Sequence, residues 1–168
     1  MYVNCKVQTV ISHDNIRVLV VQPICLPDPT QDYDNVSAVV TGWGRLNSTG
    51  PQSDRLQEAR VNTITNTACA RSHGDHKITE NMICAGADGR DACWGDSGGP
   101  LAVMGPNGEY RQVGVVSWGN RRGCAIPGYP GVYTRVTSFL PWIRQRMKPA
   151  QGNNILSHHH SPSQLEVV

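Results

Sequence analysis

The fold of this chain is decided by one stretch, Asp91-Ala92-Cys93-Trp94-Gly95-Asp96-Ser97-Gly98-Gly99-Pro100. In this stretch Ser97 is followed by two glycines, and another glycine lies two residues before it. Because glycine adopts backbone conformations that other residues avoid, such a segment can form a tight turn that exposes the serine Oγ. The N–H groups of the turn can then converge on one point as an oxyanion hole. Glycine-rich loops without any chemistry are also common, so the stretch alone leaves a nucleophile and a plain loop as alternatives.

Short runs of β-branched and apolar residues surround this stretch, and clusters of Gly, Pro, Asn and Asp separate them. Such spacing is typical of an all-β barrel or sandwich. The tripeptide Pro106-Asn107-Gly108 lies between two of the runs and predicts a hairpin turn. The best strand candidates are residues 36–41, 59–64, 101–104, 112–118 and 131–136.

Two segments have the pattern of a helix, residues 65–72 and residues 137–147. Thr65 or Asn66 can cap the first helix and Ser138 the second, since a side-chain oxygen at this position accepts a hydrogen bond from the backbone of the first turn. The second segment also shows apolar residues at helical spacing, which predicts that one of its faces packs against the β-structure.

Composition narrows the classes of function. The chain has 168 residues with 15 Lys+Arg and 13 Asp+Glu, so we expect no nucleic-acid partner held by phosphate electrostatics. The longest apolar run, residues 18–21, is far shorter than the roughly 20 residues that cross a bilayer, so we expect no membrane span.

Polar residues dominate from 149 to 168 and predict a disordered tail. Its three histidines, residues 158–160, favour a solvated tract over a metal site, and we expect no metal and no other cofactor.

The cysteines and two asparagines indicate the compartment. No cysteine spacing is Cys-x-x-Cys, which disfavours zinc and favours disulfides. Disulfides place a protein outside the cytosol. Asn35 and Asn47 begin N-glycosylation triplets, so a secreted, extracellular protein is predicted. We expect that a secretory leader was removed or lies upstream, or that the chain is truncated, because no signal peptide is visible at its start. The six cysteines are Cys5, Cys25, Cys69, Cys84, Cys93 and Cys124.

The serine stretch resembles the nucleophile region of the chymotrypsin/trypsin family of serine proteases, and the resemblance extends over residues 36–147. Four further family motifs occur in the family order, and a segment similar to the interdomain connector precedes them. This order makes a chance resemblance very improbable. The motifs are Gly42-Trp43-Gly44, Ile83-Cys84-Ala85-Gly86, Val116-Ser117-Trp118-Gly119 and Pro130-Gly131-Val132-Tyr133-Thr134-Arg135-Val136, and the connector is Pro23-Ile24-Cys25-Leu26-Pro27.

The resemblance implies a role for several residues. Ser97 is the nucleophile position, and the N–H groups of Gly95 and Ser97 form the oxyanion hole. Asp91 lies at the base of the substrate pocket, where a carboxylate pairs with Arg or Lys of the substrate. Asp96 is the position that receives the new α-ammonium after zymogen cleavage. Cleavage of proteins and peptides after Arg or Lys is therefore implied.

The pocket walls and the disulfides are also implied by the resemblance. Ser117 and Trp118 belong to the substrate-binding region, and Gly119 and Gly131 lack side chains that would block the pocket. Trp94 departs from the family, which usually has a smaller polar residue there, and a large ring is expected to cap the rim. The implied disulfides are Cys69–Cys84 and Cys93–Cys124, which leave Cys5 and Cys25 to pair with each other or Cys25 to pair outside this chain.

A serine hydroxyl needs a base, and the base of this family is a His in a Thr-Ala-Ala-His-Cys context with a separate Asp to orient it. No such context occurs here. His13 and Asp14 are weak candidates, because Asp14 and not Cys follows the histidine. His73 and His76 follow the short helix, where the family places a surface loop at the outer substrate subsites.

The predicted architecture is all-β, namely the second β-barrel of the two-barrel family fold with a C-terminal helix. Residues 1–35 are expected to hold a remnant of the largely missing first barrel and the connector, residues 36–148 the barrel and terminal helix, and residues 149–168 the tail. An upstream segment or a partner chain is expected to supply the first barrel. Two hypotheses follow: a truncated serine endopeptidase that is inactive or very weak by itself, or a non-catalytic homologue that acts as an extracellular binding or regulatory module.

Overall fold

The computed structural model describes residues 23–86 and 89–147. The expected first-barrel remnant before residue 23 and the expected tail after residue 148 lie outside the described residues. His13, Asp14 and Cys5 lie outside them as well, so the hypotheses about these residues stay predictions. The proposed division at residues 35 and 148 is likewise a prediction.

Six antiparallel strands in the described residues form one closed barrel. Neighbouring strands follow the order β1-β2-β3-β6-β5-β4, and β4 closes the barrel by pairing with β1. Closure leaves no strand edge unpaired, which is how a small all-β domain avoids an exposed edge. The strands are β1 (Ser37–Gly42), β2 (Gln57–Ile64), β3 (Met82–Gly86), β4 (Pro100–Met104), β5 (Tyr110–Trp118) and β6 (Gly131–Arg135).

The predicted all-β barrel with a C-terminal helix is confirmed. Five strands overlap the runs predicted from the sequence, and the predicted hairpin turn joins β4 to β5, where Gly108 N–H donates to the Gly105 carbonyl. β3 was not predicted as a strand. Its three central side chains are all buried, so it lacks the alternation of a half-exposed strand.

Side chains from all six strands fill the barrel interior. Tyr133, Ile83, Leu101, Val61 and Val113 are each almost completely buried there. Burial of one such side chain contributes about 1.5–3 kcal/mol relative to its exposure. The interior is therefore a packed core, and any ligand site must lie at the ends or on the outside of the barrel.

The first helix, α1 (Asn66–His73), begins as predicted at one of the two candidate caps. The Thr65 Oγ1 accepts a hydrogen bond of 3.1 Å from the Ala68 N–H. Asn66 donates instead to the Thr79 carbonyl. Thr65 is therefore the N-cap, and it fixes where the chain leaves β2.

The second helix, α2 (Val136–Arg146), begins one residue earlier than predicted, and the predicted cap is wrong. Arg135 is the N-cap, and Ser138 lies inside the first turn, where its Oγ donates to the Glu80 carbonyl at 3.3 Å. The Arg135 guanidinium explains this start, because it donates to the Met82 carbonyl and to the Asp34 carboxylate.

No helix among residues 23–86 and 89–147 is long and apolar enough to cross a membrane.

The segment that resembles the interdomain connector runs along the start of β5. Cys25 N–H donates to the Tyr110 carbonyl, and Gln112 N–H donates to the Cys25 carbonyl. Cys25 is disulfide-bonded, whereas Cys5 lies outside the described residues, so a bond between these two stays a prediction.

Candidate active site

The turn that carries Ser97 is shaped by two glycines with positive φ. Gly95 has φ of 101° and Gly98 has φ of 82°, a region that side chains other than glycine rarely adopt. The Asp96 N–H donates to the Cys93 carbonyl at 3.0 Å, and the Gly98 N–H donates to the Val116 carbonyl on β5 at 3.0 Å. The turn is thus fixed to the barrel, and Ser97 is exposed on it.

A cavity of about 410 Å³ opens beside this turn. It lies between the serine stretch, the end of β5 with the residues after it, and the start of β6. The structure brings together here seven residues for which the sequence suggested a role: Asp91, Trp94, Ser97, Ser117, Trp118, Gly119 and Gly131. Residues more than 30 positions apart in the sequence therefore share one site.

Asp91 provides the negative charge of this cavity. Its Oδ2 accepts a hydrogen bond of 3.2 Å from the Ala125 N–H, whereas its buried Oδ1 has no hydrogen-bond partner among the described residues. Burial raises the pKa of Asp91 to about 6, and the hydrogen bond from Ala125 opposes this rise only in part. A buried carboxylate oxygen without a partner is suited to accept hydrogen bonds from a cation.

Tyr133 and Gly131 form the closed end of the cavity around this carboxylate. A Cβ on Gly131 would lie 2.5 Å from the Asp91 Oδ1 and 3.4 Å from the Tyr133 hydroxyl. The hydroxyl is buried and has no partner among the described residues. Burial, and next the Asp91 charge, raise the pKa of Tyr133. Two polar atoms with unused hydrogen-bonding capacity thus lie together at this end.

Asp96 does not line the 410 Å³ cavity, whereas Asp91 lines both this cavity and the second one, to which Asp96 belongs. The Asp96 Oδ1 accepts from the Gly44 N–H at 2.7 Å and its Oδ2 from the Cys93 N–H at 2.9 Å. A Cβ on Gly44 would lie 2.5 Å from the Asp96 carboxylate carbon, so the Gly-Trp-Gly motif makes room for this side chain. Asp96 lines a second cavity, of about 320 Å³.

Two disulfides have both cysteines among the described residues, and they are the pairs that the resemblance implied. Cys93–Cys124 connects the serine stretch to the opposite wall, with the Cα atoms 5.3 Å apart. Cys69–Cys84 connects α1 to β3. The first bond holds the two walls at a fixed distance, and the second fixes α1 against the barrel.

His73 supports the cavity wall, and the sequence did not predict this contact. It is the last residue of α1 rather than part of a loop after it. Its Nε2 lies 2.9 Å from the Pro130 carbonyl oxygen, and its ring packs edge-on against Trp118, with the centroids 5.0 Å apart. Trp118 lines the cavity, so His73 contacts the wall from behind.

The described residues do not provide a general base in contact with Ser97. Among residues 23–86 and 89–147, no hydrogen bond joins the Ser97 Oγ to a histidine. His73 is held against Pro130 and Trp118, and the exposed His76 follows α1. The other candidates, His13 and Asp14, lie outside the described residues.

Residues 11–143 of this chain match the protein family described as Trypsin. The chain belongs to the trypsin family. Its relatives include Transmembrane protease serine 9 of Rattus norvegicus, 43% identical over 134 residues, and Proclotting enzyme of Tachypleus tridentatus, 44% identical over 133 residues. Venom protease of Bombus pensylvanicus is 42% identical over 144 residues.

The trypsin-family match confirms the resemblance seen in the sequence and the fold that it implied. The aligned region covers 79% of this chain for the rat protein, and 76% for each of the other two. It covers only 12%, 35% and 57% of those relatives respectively, so the chain spans less than two thirds of each.

Proposed function

We propose that this chain contributes the substrate pocket and the nucleophile of a trypsin-like serine endopeptidase that cleaves proteins and peptides after Arg or Lys. The observation that carries the proposal is the unpartnered Oδ1 of Asp91, buried at one end of a cavity that Ser97 borders at the other. An Arg or Lys side chain in this cavity would satisfy the carboxylate and place the following carbonyl group beside the serine.

The proposed chemistry is acyl transfer through Ser97. Its Oγ attacks the substrate carbonyl carbon, the carbonyl oxygen takes the negative charge, and the N–H groups of Gly95 and Ser97 stabilise that charge. The Ser97 proton passes to a base, which then protonates the leaving amine, and water later releases the acyl group. We propose that this base comes from residues outside the described ranges or from a partner chain, so that the barrel alone is inactive or very weak.

The second candidate is a non-catalytic homologue that binds basic peptides. It is favoured by the combination of a formed cavity with a buried carboxylate and a Ser97 Oγ with no histidine contact among the described residues. In this case Asp91 would still select Arg or Lys, but the bound peptide would be released uncut.

We also propose that the protein acts outside the cell. The disulfides Cys69–Cys84 and Cys93–Cys124 require an oxidising compartment. Asn35 and Asn47 are exposed, and Asn47 uses its Oδ1 to accept from the Thr49 and Gly50 N–H groups, which leaves its Nδ2 available for glycosylation. A relative named Venom protease supports this location.

Hydrolysis of a fluorogenic peptide with Arg before the scissile bond tests the proposal. The purified oxidised chain is compared with Ser97→Ala, and both are treated with a phosphonylating probe that carries a basic side chain. Turnover that Ser97→Ala abolishes would establish the endopeptidase and a base in this chain. Absence of turnover and labelling, together with amidine binding that Asp91→Asn abolishes, would exclude a base within this chain and leave the non-catalytic homologue or a base from a partner chain. Failure of the amidine to bind would contradict both candidates.

A further inference from the structure

Next to the cavity, an arginine that lines the neighbouring 320 Å³ cavity contacts a tryptophan of the cavity wall. Trp94 lines the cavity beside Ser97 and is 45% exposed. The Arg45 guanidinium carbon lies 5.9 Å from the centre of the Trp94 ring. The two backbones are joined as well, because the Arg45 N–H donates to the Trp94 carbonyl at 2.9 Å. Both side chains therefore extend from one fixed piece of backbone.

The backbone around Arg45 is fixed from its other side too. Arg45 forms an antiparallel bridge with Gln52. A Cβ on Gly95 would lie 2.5 Å from the Gln52 amide nitrogen, so Gln52 packs against the proposed oxyanion-hole residue. The segment that carries Arg45 is thus attached to the serine turn at two points, through Trp94 and through Gln52.

A guanidinium held on an aromatic face is prepared for a carboxylate. A contact with an aromatic ring uses no hydrogen-bond acceptor, so the guanidinium N–H donors remain available for a bidentate hydrogen bond. Arg45 itself has no salt bridge among the described residues, whereas Arg111 and Arg135 are paired with Glu109 and Asp34. Because the ring already restricts the arginine, a ligand loses less conformational entropy on binding it.

The charges at the two ends of the cavity have opposite signs. Asp91 gives the closed end a negative charge, and exposed Arg121 lines the same cavity near its mouth. Arg45 adds a second positive charge next to the cavity, where it contacts the Trp94 ring. A peptide with one basic side chain and a nearby acidic one matches this arrangement, whereas a second basic side chain beside the first would meet Arg45 or Arg121.

We propose that Arg45 is a specificity-determining residue, which binds the carboxylate of an acidic side chain located one to three positions from the Arg or Lys that enters the cavity. This inference rests on the proposed function. The range of one to three positions follows from the contact of Arg45 with the cavity wall: its guanidinium carbon lies 5.9 Å from the centre of the Trp94 ring, and an extended peptide advances about 3.3–3.6 Å per residue.

Binding of labelled peptides tests the inference without any need for turnover. Each peptide contains one Arg and has either Asp or Asn at one position within three residues of it, and fluorescence anisotropy gives the dissociation constant. All proteins carry Ser97→Ala so that no peptide is consumed. The variant is Arg45→Gln, and its matched control is Arg60→Gln, which removes an exposed arginine on β2.

We expect at least one Asp peptide to bind about three- to tenfold more tightly than its Asn counterpart, the range of a partly exposed charged pair. Arg60→Gln should keep this ratio, and Arg45→Gln should reduce it to one. Trp94→Leu should reduce the ratio while the charge of Arg45 remains, because the arginine is then no longer held. High salt should also reduce it.

Two results would overturn the inference. The first is that the Ser97→Ala protein binds the Asp and Asn peptides equally, or binds neither. The second is that the Arg45→Gln variant keeps the same ratio as the Ser97→Ala protein. A fluorescent amidine, which has no carboxylate, separates this failure from failure of the pocket. Amidine binding with no Asp preference refutes only the role of Arg45. Lack of amidine binding refutes the pocket, whatever the peptide ratios show.

Discussion

Asp91 and Asp96 lie on the same short segment, yet their carboxylates have opposite surroundings. Both oxygens of Asp96 accept backbone N–H groups, from Gly44 and from Cys93. Asp91 accepts one N–H and keeps a buried oxygen without a partner among the described residues. The first carboxylate holds the turn in shape, and the second retains capacity for a ligand. The same residue type therefore serves structure at one position and recognition at the other.

Removal of the Asp96 carboxylate should have the largest effect on stability. Asp96→Ala loses two hydrogen bonds to a charged group, so we expect the free energy of unfolding to fall by about 3–5 kcal/mol. Urea denaturation of the oxidised chain measures this change. Asp54→Ala, which removes an exposed carboxylate, is the matched control and should change stability little. Equal stabilities for the two variants would contradict the structural role of Asp96.

Asp91 should instead make stability depend on pH. Its pKa rises from 3.8 to about 6 in the folded chain, so the folded chain binds a proton that the unfolded chain releases within this window. Stability due to this group is therefore highest at low pH and falls as pH rises, by about 3 kcal/mol for a pKa difference of about 2.

The difference in unfolding free energy between the wild type and Asp91→Asn isolates this effect, because asparagine does not titrate. Measured by urea denaturation at pH 4 and pH 7, the difference should shift by about 2–2.5 kcal/mol against the wild type. A difference that is the same at both pH values would mean that the Asp91 carboxylate is not desolvated.

Two glycines of the cavity should respond differently to an added methyl group. The Cβ of Gly131→Ala would lie 2.5 Å from the Asp91 Oδ1, and we expect a loss of about 1–3 kcal/mol in unfolding free energy. Gly119→Ala meets nothing within 4 Å and should stay within about 0.5 kcal/mol. Thermal or urea denaturation measures both, and a reversed order would contradict the described closed end.

Tyr133→Phe should have the smallest effect. It removes a buried hydroxyl that has no partner among the described residues, so we expect the free energy of unfolding to rise by up to about 1 kcal/mol. Urea denaturation at pH 7 measures it. A loss of more than about 1 kcal/mol would show that the hydroxyl makes a hydrogen bond that the described residues do not account for.

The sequence predicted the features that depend on neighbouring residues. Glycines on both sides of Ser97 predicted an exposed turn, and Thr65 was one of two predicted caps for α1. The strands that alternate or contain β-branched residues were found, whereas β3, buried along its central residues, was not. Ser138 was wrongly chosen as a cap, because the start of α2 depends on contacts that Arg135 makes with distant residues.

The electrostatic character of the site depends on contacts across the fold, which local patterns do not reveal. The pKa of Asp91 follows from its burial near Tyr133 and from an N–H of Ala125, 34 residues away. The contact between Arg45 and Trp94 joins two segments that no motif connects. Family motifs indicated which residues would gather, but only the structure gives their hydrogen bonds and their burial.

Titration of the oxidised chain with a fluorescent amidine tests the central claim, which is that the Asp91 cavity accepts a basic side chain. We expect binding at pH 7 that Asp91→Asn weakens by about 100-fold or more, since a buried charge loses its partner. Binding should also weaken about fivefold between pH 6 and pH 5, as the carboxylate takes up a proton. Equal affinity of the wild type and Asp91→Asn, or affinity independent of pH, would contradict the account.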